Sequence, residues 1–297
     1  TSFVNNVAKK SGGAVMAENA PSLKGMMASS LSRFEGNTAQ AGDGGAVYVS
    51  SDLDGGISHW KSEGDFFSKN VAESGSGGAL AMVRTRAELN ANAKCTENKA
   101  LLGGGGCIFW EPQLSDTNGW DELAPQHGDN SLKMSGNKAA FGHDLGTGGK
   151  NLDHSHHVLT VSAQDKSFPD LPVPGFPVLV MRDHYGTQII RKKGLTGQLA
   201  KNVLVSASQQ TESKAPSTLA GATSATLDGP QGTANFASLL LKESPNTGPY
   251  DISFETTLDV GKGLSRIVKS SRNVKVRVGK CDLEKKGIND CACPRGQ

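Results

Sequence analysis

Cysteine is the residue type whose spacing in this chain points most directly to a chemical bond. Cys95 and Cys107 lie close together, and three more cysteines follow near the end of the sequence: Cys281, Cys291 and Cys293. A disulfide between Cys95 and Cys107 would cross-link the chain and indicate an oxidising compartment, whereas two buried thiols would act as small apolar side chains. We expect the disulfide. Of the last three cysteines, at least one must pair beyond Gln297 or with a distant cysteine, or stay free.

Histidines and carboxylates could bind metals at two places. The first is a group of zinc-type ligands close together in the sequence: Asp153, His154, His156 and His157. Neighbouring histidines in a linker have no reason to converge on one point, so we expect no metal there. The second is the pair Asp52 and Asp54, which resembles part of a calcium loop but lacks the remaining ligand positions and the distal glutamate. The sequence therefore indicates no metal and no other cofactor.

A repeated sequence motif shows which elements must position these residues. It consists of an anchor residue, asparagine three positions later, alanine two after that and a glycine-rich turn, and it occurs five times. The anchors are Phe3, Phe34, Phe67, Cys95 and Met134, and the asparagines are Asn6, Asn37, Asn70, Asn98 and Asn137. The glycine pairs are Gly12 and Gly13, Gly44 and Gly45, Gly77 and Gly78, and Gly105 and Gly106. The last copy reads Gly142-His143-Asp144, and we expect it to run into a linker at Gly148 and Gly149. Such self-similarity is typical of stacked repeats, in which each unit buries its apolar face against its neighbours.

The repeat predicts a parallel β-helix. Glycine-rich turns and apolar runs of only about three to six residues exclude helical repeats, which need longer amphipathic segments. In successive coils equivalent residues lie about 4.8 Å apart. The phenylalanine anchors would then stack in the core, the asparagines would form a hydrogen-bonded ladder, and the glycine pairs would allow positive φ or close backbone approach at a corner. Loops leaving another corner are where function would have to lie.

The pairing of Phe-x-x-Asn with Gly-Gly-Ala resembles the repeat of the polymorphic outer membrane proteins. These are right-handed β-helix surface proteins, with relatives among the large extracellular proteins of algae and other protists. The resemblance covers residues 1–157. It implies exposure at the cell surface, adhesion or assembly into an extracellular layer, and it does not imply catalysis.

An enzyme is the alternative that this fold raises, because parallel β-helices also include pectinases and polysaccharide lyases. Glycoside hydrolysis needs two carboxylates on one face, about 5 to 9.5 Å apart. The repeats present no pair of aspartates at equivalent strand positions, and Asp144 lies in the last, irregular copy. We therefore expect a protein without catalytic residues.

From residue 158 onward the pattern changes to short strands separated by turns. Seven such strands in about 120 residues predict an immunoglobulin-like β-sandwich over residues 158–279. The residues that carry a resemblance to immunoglobulin-like modules of bacterial and protist surface proteins are Gly232, Ala234, Phe236, Tyr250, Ile252 and Phe254. Residues 280–297 resemble the start of an EGF-like or ephrin-receptor-like cysteine-rich module. The expected fold class is all-β, with a right-handed parallel β-helix at 1–157 followed by these two segments.

Two polar stretches in the second half have alternative interpretations. The first is basic and contains Lys269, Arg272, Lys275, Arg277 and Lys280. It could bind an anionic glycan or a lipid surface, but we favour an edge strand that lysines protect from pairing. The second stretch, residues 206–226, is rich in Ser, Thr and Ala, which predicts an exposed loop suited to O-linked glycans.

Charge and hydropathy limit the partners. A formal net charge of +2 argues against a nucleic-acid partner. No apolar run approaches the roughly 20 residues that span a bilayer, so we expect no membrane span. Because Phe3 follows Thr1 so closely, we expect a piece of a longer precursor whose first coil has an open end. The expected partners are other copies or other domains of the same surface protein, together with cell-surface glycans.

The sequence thus predicts a non-enzymatic extracellular fragment of a larger cell-surface protein, a building block of a surface coat, fibre or appendage. The alternative is a carbohydrate-binding adhesin in which tryptophans stack on sugars. The tryptophans in question are Trp60, Trp110 and Trp120, which fall between the motifs. Tryptophans together on one exposed face would favour sugar recognition, whereas scattered ones would favour simple packing.

Overall fold

The structure is a computed structural model that describes residues 1–18, 26–51, 58–90, 92–111, 126–127, 132–154, 160–163, 171–172, 178–190, 192–196, 203–210, 218–227, 232–242, 250–261, 264–270 and 274–278. Every regular element within those ranges is a β-strand, so the all-β prediction is confirmed for them. The strands there form seven sheets. In the same ranges there is no helix with the length and apolar character needed to cross a bilayer.

The first half of the chain forms four parallel sheets, each built from strands of successive coils. Sheet 1 contains Ser2–Val4, Arg33–Glu35, Phe66–Ser68, Lys94–Thr96 and Lys133–Ser135. Sheet 2 contains Val7–Ala8, Thr38–Ala39, Val71–Ala72, Lys99–Gly104 and Lys138–Phe141. Sheet 3 contains Val15–Glu18, Val47–Ser50, Leu80–Val83, Ile108–Glu111 and Leu145–Thr147, and sheet 4 contains Met26–Ser30, Ser58–Glu63, Thr85–Asn90 and Gln126–His127. This coil stack is compatible with a parallel β-helix.

The register of the sheets follows the repeated motif. In sheet 1 the anchors occupy equivalent positions: Phe3, Phe34, Phe67, Cys95 and Met134. In sheet 2 the alanines of the motif also occupy equivalent positions: Ala8, Ala39, Ala72, Ala100 and Ala139. The two irregular copies are therefore in register with the three regular ones, and the prediction of stacked parallel strands is confirmed.

The core of the coil stack is apolar and lies between sheets 1, 3 and 4. The rings of Phe3, Phe34 and Phe67 are stacked, with centroids 4.9 and 4.8 Å apart. Phe34 and Phe67 are buried, and burial of one such side chain stabilises the folded state by about 2–3 kcal/mol. The anchor position therefore holds successive coils together through aromatic packing.

The two glycines of each pair have different tasks at the corner before sheet 3. Gly44 has a φ of 72°, a left-handed conformation that side chains strain. A Cβ at Gly45 would overlap the carbonyl oxygen of Gly78 and lie 2.7 Å from the backbone of Val71. The first glycine thus allows the turn, and the second lets neighbouring coils approach. The same division holds at the other pairs: Gly12 and Gly13, Gly77 and Gly78, and Gly105 and Gly106.

The second half forms three smaller sheets. Sheet 5 contains Asn151–His154, Val178–Arg182 and Thr233–Asn235. Sheet 6 contains Thr160–Ala163, Val274–Val278, Tyr250–Gly261, Leu264–Lys269, Val203–Gln210 and Ser224–Leu227, and sheet 7 contains Leu171–Pro172, Leu239–Lys242 and Thr218–Gly221. All pairs are antiparallel except that between Thr160–Ala163 and Val274–Val278.

A single apolar cluster joins these sheets. Phe236 and Phe254 meet in it with ring centroids 4.9 Å apart, and Leu179 and Leu239 pack into it from sheets 5 and 7. Phe141, in the last strand of sheet 2, belongs to the same cluster. The second half therefore packs directly against the last coil.

Three expectations for the second half are wrong in their local structure. The linker expected at Gly148 and Gly149 is absent, because both glycines are buried between Leu145–Thr147, which pairs in sheet 3, and Asn151–His154, which pairs in sheet 5. The strand Val274–Val278 is not an edge strand, since it pairs on both sides within sheet 6.

The third concerns residues 206–226, which were expected to form an exposed loop. Their described parts belong instead to the strands Val203–Gln210, Thr218–Gly221 and Ser224–Leu227. The polar side chains at Ser206, Ser208, Ser224 and Thr226 alternate with residues that face the core, which is the pattern of a sheet with one solvated face.

Candidate functional site

A continuous ladder of asparagines runs along the coil stack. Asn70 shows its pattern: the Oδ1 atom accepts the backbone N–H of Asn37 at 3.0 Å and the side-chain amide of Asn37 at 2.9 Å. The Nδ2 atom of Asn70 donates to the carbonyl of Phe34 at 2.9 Å and to Oδ1 of Asn98 at 2.9 Å. Asn6, Asn37, Asn98 and Asn137 continue the ladder. Because Asn37, Asn70 and Asn98 are fully buried, these bonds satisfy polar groups that have no access to water.

The ladder ends at Asp144. The Nδ2 atom of Asn137 donates to the carbonyl of Cys95 at 2.9 Å and to Oδ1 of Asp144 at 2.8 Å. Asp144 occupies the position that Ala46, Ala79 and Cys107 hold in earlier coils. It supplies the acceptor that a further asparagine would otherwise provide, so the ladder is complete at this end. The sequence signal is a carboxylate where the other copies have a small residue.

A second polar ladder, which the sequence analysis did not identify, lies just before the glycine pairs. The backbone N–H of Asp43 donates to Oγ of Ser11 at 3.1 Å, and the N–H of Ser76 donates to Oδ1 of Asp43 at 2.7 Å. The N–H of Gly104 donates to Oγ of Ser76 at 3.2 Å. A small polar residue before each of the first three glycine pairs was the available signal.

Cys95 and Cys107 form a disulfide, with Cα atoms 6.0 Å apart. Cys95 stands at an anchor position in sheet 1, and Cys107 stands just before sheet 3, so the bond crosses the core within one coil. Closing so short a loop constrains the unfolded chain by about 3 kcal/mol in the chain-entropy description. Cys281, Cys291 and Cys293 lie outside the described residues.

The first coil is an open end. Within the described residues its strands Ser2–Val4, Val7–Ala8, Val15–Glu18 and Met26–Ser30 each pair on one side only. Phe3 is partly exposed although the equivalent Phe34 is 1% exposed, and Asn6 is exposed although Asn37 is 0% exposed. Among the described residues, no group donates to Oδ1 of Asn6. Within the described residues, the first coil therefore presents a face of the Phe3 ring, an amide acceptor and unpaired strand backbone at one surface.

The second half closes part of the opposite end of the stack. The indole N–H of Trp110, in the last full coil, donates to the hydroxyl of Tyr185 at 3.0 Å. The ring of His184 packs edge-on against Trp110, with centroids 5.4 Å apart, and the backbone N–H of His184 donates to Oγ1 of Thr147 at 2.9 Å. The turn that holds these residues is fixed by Asp183, whose Oδ1 accepts the N–H of Thr187 at 2.7 Å. Burial raises the pKa of Asp183.

A buried ion pair joins the same two parts of the chain. Nη1 of Arg266 lies 2.7 Å from Oε1 of Glu111, and Nη2 of Arg266 donates to the carbonyl of Gly149 at 2.6 Å. Both side chains are less than one-tenth exposed. Burial raises the pKa of Glu111, and the facing guanidinium offsets part of that rise. The junction is thus specified by polar contacts as well as by apolar packing.

Replacing Tyr185 with phenylalanine tests the closed end. The change keeps the ring but removes the acceptor for the indole N–H of Trp110, which is 1% exposed. We expect the free energy of unfolding, measured by urea denaturation, to fall by about 1–2 kcal/mol. Tyr185→Leu is the comparison that removes the ring as well and should cost more. Equal stabilities of Tyr185→Phe and the unchanged protein would show that this hydrogen bond does not hold the junction.

The tryptophans do not form a sugar platform. Trp60 is 3% exposed in the strand Ser58–Glu63, and Trp110 is 1% exposed in the strand Ile108–Glu111. Both pack in the apolar core of the coil stack, so neither ring face is open to a glycan, and the expectation of sugar contacts is wrong for these two. Trp120 lies outside the described residues.

The candidate metal ligands do not converge in the part of the chain that is described. There, no group of three or more His, Cys, Asp or Glu side chains is placed to hold an ion. Asp153 pairs instead with Arg182, with Oδ2 and Nε 2.8 Å apart. His156, His157, Asp52 and Asp54 lie outside the described residues, as do Arg272 and Lys280 of the basic stretch.

Comparison with known proteins relates one coil to a surface-protein repeat. A family model described as the Chlamydia polymorphic membrane protein (Chlamydia_PMP) repeat matches residues 32–50. These residues run from just before Phe34 to the end of the strand Val47–Ser50, and they include Asn37 and the glycine pair of the second coil. Neither the curated proteins nor the solved structures contain a match to the chain. The matched repeat suggests a surface or outer-membrane protein.

Proposed function

We propose that the chain is a non-enzymatic, extracellular structural or adhesive part of a cell-surface protein that assembles through the open end of its coil stack. The observation that carries the proposal is the difference between the first and second coils. Asn6 and Phe3 are exposed or partly exposed, while Asn37 and Phe34 at the same positions are buried. A surface built like the interior of the stack favours contact with another strand-forming surface.

Other features support this proposal. The disulfide between Cys95 and Cys107 suits an oxidising, extracellular compartment, and the matched repeat suggests a surface location. A right-handed winding of the coils and an immunoglobulin-like second half, followed by a cysteine-rich module, complete the proposed organisation. O-linked glycans on the polar face of sheet 6 would suit the same location.

We also propose that the chain is not an enzyme. This proposal is supported by the structural bonds that the described carboxylates of the coil stack make. Asp43 accepts a backbone N–H, Asp144 ends the asparagine ladder, and Glu111 pairs with Arg266. Asp65 is buried and accepts the hydroxyls of Ser29 and Ser62. These groups are occupied by structural bonds rather than directed into a common groove.

The partner that we propose for the open end is a coil of the same kind, from another copy or another domain of the same surface protein. The contact between two copies is the one that this chain can test. Trp110, Tyr185 and the Glu111–Arg266 pair lie where the second half covers part of the other end of the stack, so a second copy that stacked head to tail would meet the second half. Two open ends facing each other would instead form a two-fold contact, the commonest symmetry of homo-oligomers. Such a contact pairs like surfaces, each with unpaired strand backbone.

A proline at Val7 tests this assembly. Asn6 and Ala8 direct their carbonyls to the second coil, so the alternating pattern of a strand directs the N–H of Val7 to the open side. Val7→Pro removes that donor, and Val7→Thr is the matched control that keeps it. By light scattering and electron microscopy we expect the unchanged protein and Val7→Thr to form dimers with rising concentration, and Val7→Pro to stay monomeric. Monomers of the unchanged protein at all concentrations would overturn the contact between two copies.

A further inference from the structure

Arg84 is a buried cation at a corner of the coil stack. It lies between the strands Leu80–Val83 and Thr85–Asn90, and the residue is 5% exposed. Its Nε and Nη1 atoms are fully buried, and neither makes a hydrogen bond to the described part of the chain. Two of the three nitrogens of the guanidinium therefore have N–H groups that the described protein atoms do not satisfy.

This arrangement is unusual because a guanidinium stays charged in proteins, and buried charges are normally paired. Burial lowers the pKa of Arg84, and the phenol of Tyr48 acts in the opposite direction. The nearest acidic neighbour by register is Glu111, which pairs with Val83 and accepts the backbone N–H of Arg84 through its carbonyl at 2.7 Å. The Glu111 carboxylate, however, binds Arg266 at 2.7 Å. Arg266 thus holds the carboxylate of the residue whose backbone binds Arg84.

The backbone around Arg84 is held in place. Its φ of 55° is a left-handed conformation, and its carbonyl accepts the hydroxyl of Ser51 at 2.5 Å. Tyr48, Ala81 and Val83 form a separate apolar cluster on the same face of sheet 3. A cation held by such surroundings loses little conformational entropy when it binds a ligand, which favours affinity.

We propose that Arg84 is the centre of an anion-binding site for an oxyanion group, such as a sulfate, either free in solution or carried as an ester on an acidic polysaccharide. The planar guanidinium matches such groups, because its N–H donors lie at the spacing of two oxygens of one anion. The binding of an oxyanion would satisfy the buried N–H groups and neutralise the charge. This site is separate from the open end of the stack and does not depend on the assembly proposed above.

The test is thermal unfolding in sodium sulfate and in sodium chloride at matched ionic strength, for the unchanged protein and for Arg84→Met. At a hundredfold excess of sulfate over its Kd we expect the Tm of the unchanged protein to rise by roughly 5 °C more than in chloride. Arg84→Met should lose this difference. The matched control is Arg33→Met, which removes an exposed arginine that pairs with Glu35 and should keep the full sulfate response.

The same assay separates the two sources of the anion. A sulfated oligosaccharide that raises the Tm of the unchanged protein at a lower concentration than sulfate, but not that of Arg84→Met, supports a polysaccharide ligand. A response to inorganic sulfate alone supports a free ion. Equal sulfate responses of Arg84→Met and the unchanged protein would overturn the proposal, because they would reflect general salt effects. So would a destabilised Arg84→Met without any sulfate response in the unchanged protein, which would indicate an internal partner.

A diffraction measurement keeps the proposal testable if Arg84→Met does not fold. Crystals of the unchanged protein would be soaked in selenate, whose anomalous signal locates it. We expect a selenium peak placed so that its oxygens lie within hydrogen-bond distance of Nε or Nη1 of Arg84. Selenate bound only elsewhere would overturn the proposal.

Discussion

Replacing Asn70 with alanine is expected to lower the free energy of unfolding by about 5 kcal/mol, because it interrupts the asparagine ladder where the ladder is buried. The change removes the acceptor of the backbone N–H and side-chain amide of Asn37, and the donor to the carbonyl of Phe34 and to Asn98. Each buried group that loses its partner costs about 1–3 kcal/mol. Urea denaturation followed by circular dichroism measures the loss.

Asn6→Ala is the matched control for this prediction. Asn6 has the same position in the repeated motif and donates to Oδ1 of Asn37 at 2.8 Å, but it is exposed. Water replaces its bond, so we expect a loss of only about 0.5–1 kcal/mol. Similar losses for Asn70→Ala and Asn6→Ala would mean that burial of the ladder does not determine its contribution.

Gly45→Ala is expected to destabilise the protein by at least about 5 kcal/mol, at the extreme of what single substitutions do. The added Cβ would overlap the carbonyl oxygen of Gly78 and lie 2.7 Å from the backbone of Val71. Both obstacles are main-chain atoms of the next coil, so relief requires the coils to move apart, and their hydrogen bonds would weaken. The Tm from calorimetry, together with soluble yield, measures the effect.

Gly186→Ala separates crowding from backbone strain. Gly186 has a φ of 78°, yet a Cβ there would meet nothing within 4 Å. Alanine at this position has only the conformational cost, about 1 kcal/mol. A Gly45→Ala protein as stable as Gly186→Ala would show that the coils can separate easily at this corner.

Much of the coil stack could be predicted from particular residues. Phe3, Phe34 and Phe67 stack as the spacing of the repeat requires, and the irregular anchors Cys95 and Met134 fall into the same register. This was possible because a stacked repeat places like residues on like residues, so contacts between coils can be read from the period alone.

The junction between the halves could not be predicted in this way. Glu111 and Arg266 are far apart in the sequence, and neither belongs to the repeated motif. The linker expected at Gly148 and Gly149 is buried instead, because Phe141 and Gly149 lie against side chains of the second half, which no local pattern reveals. The strand Val274–Val278 has an alternating pattern that suits an edge or an interior strand equally, and only its partners decide between them.

The exposure of individual side chains could also not be predicted from the sequence. Trp60 and Trp110 fall between motifs, where loops were expected, but the strands of sheets 3 and 4 direct them into the core. Nothing in the sequence distinguishes Arg84, and its importance comes from the burial of its guanidinium, two of whose nitrogens make no hydrogen bond to the described residues. Both outcomes depend on which elements pack over a residue.

The sequence predicts the repeat, and with it the parallel strands, their register, the asparagine ladder and the corners at the glycine pairs. These features follow from local spacing, because each coil contacts a copy of itself. What lies against the last coils depends on the tertiary structure, in which Asp144 ends the asparagine ladder and Tyr185 and Arg266 of the second half contact the stack. These coils contact unlike segments, whose packing and charge pairing depend on residues that are distant in the chain.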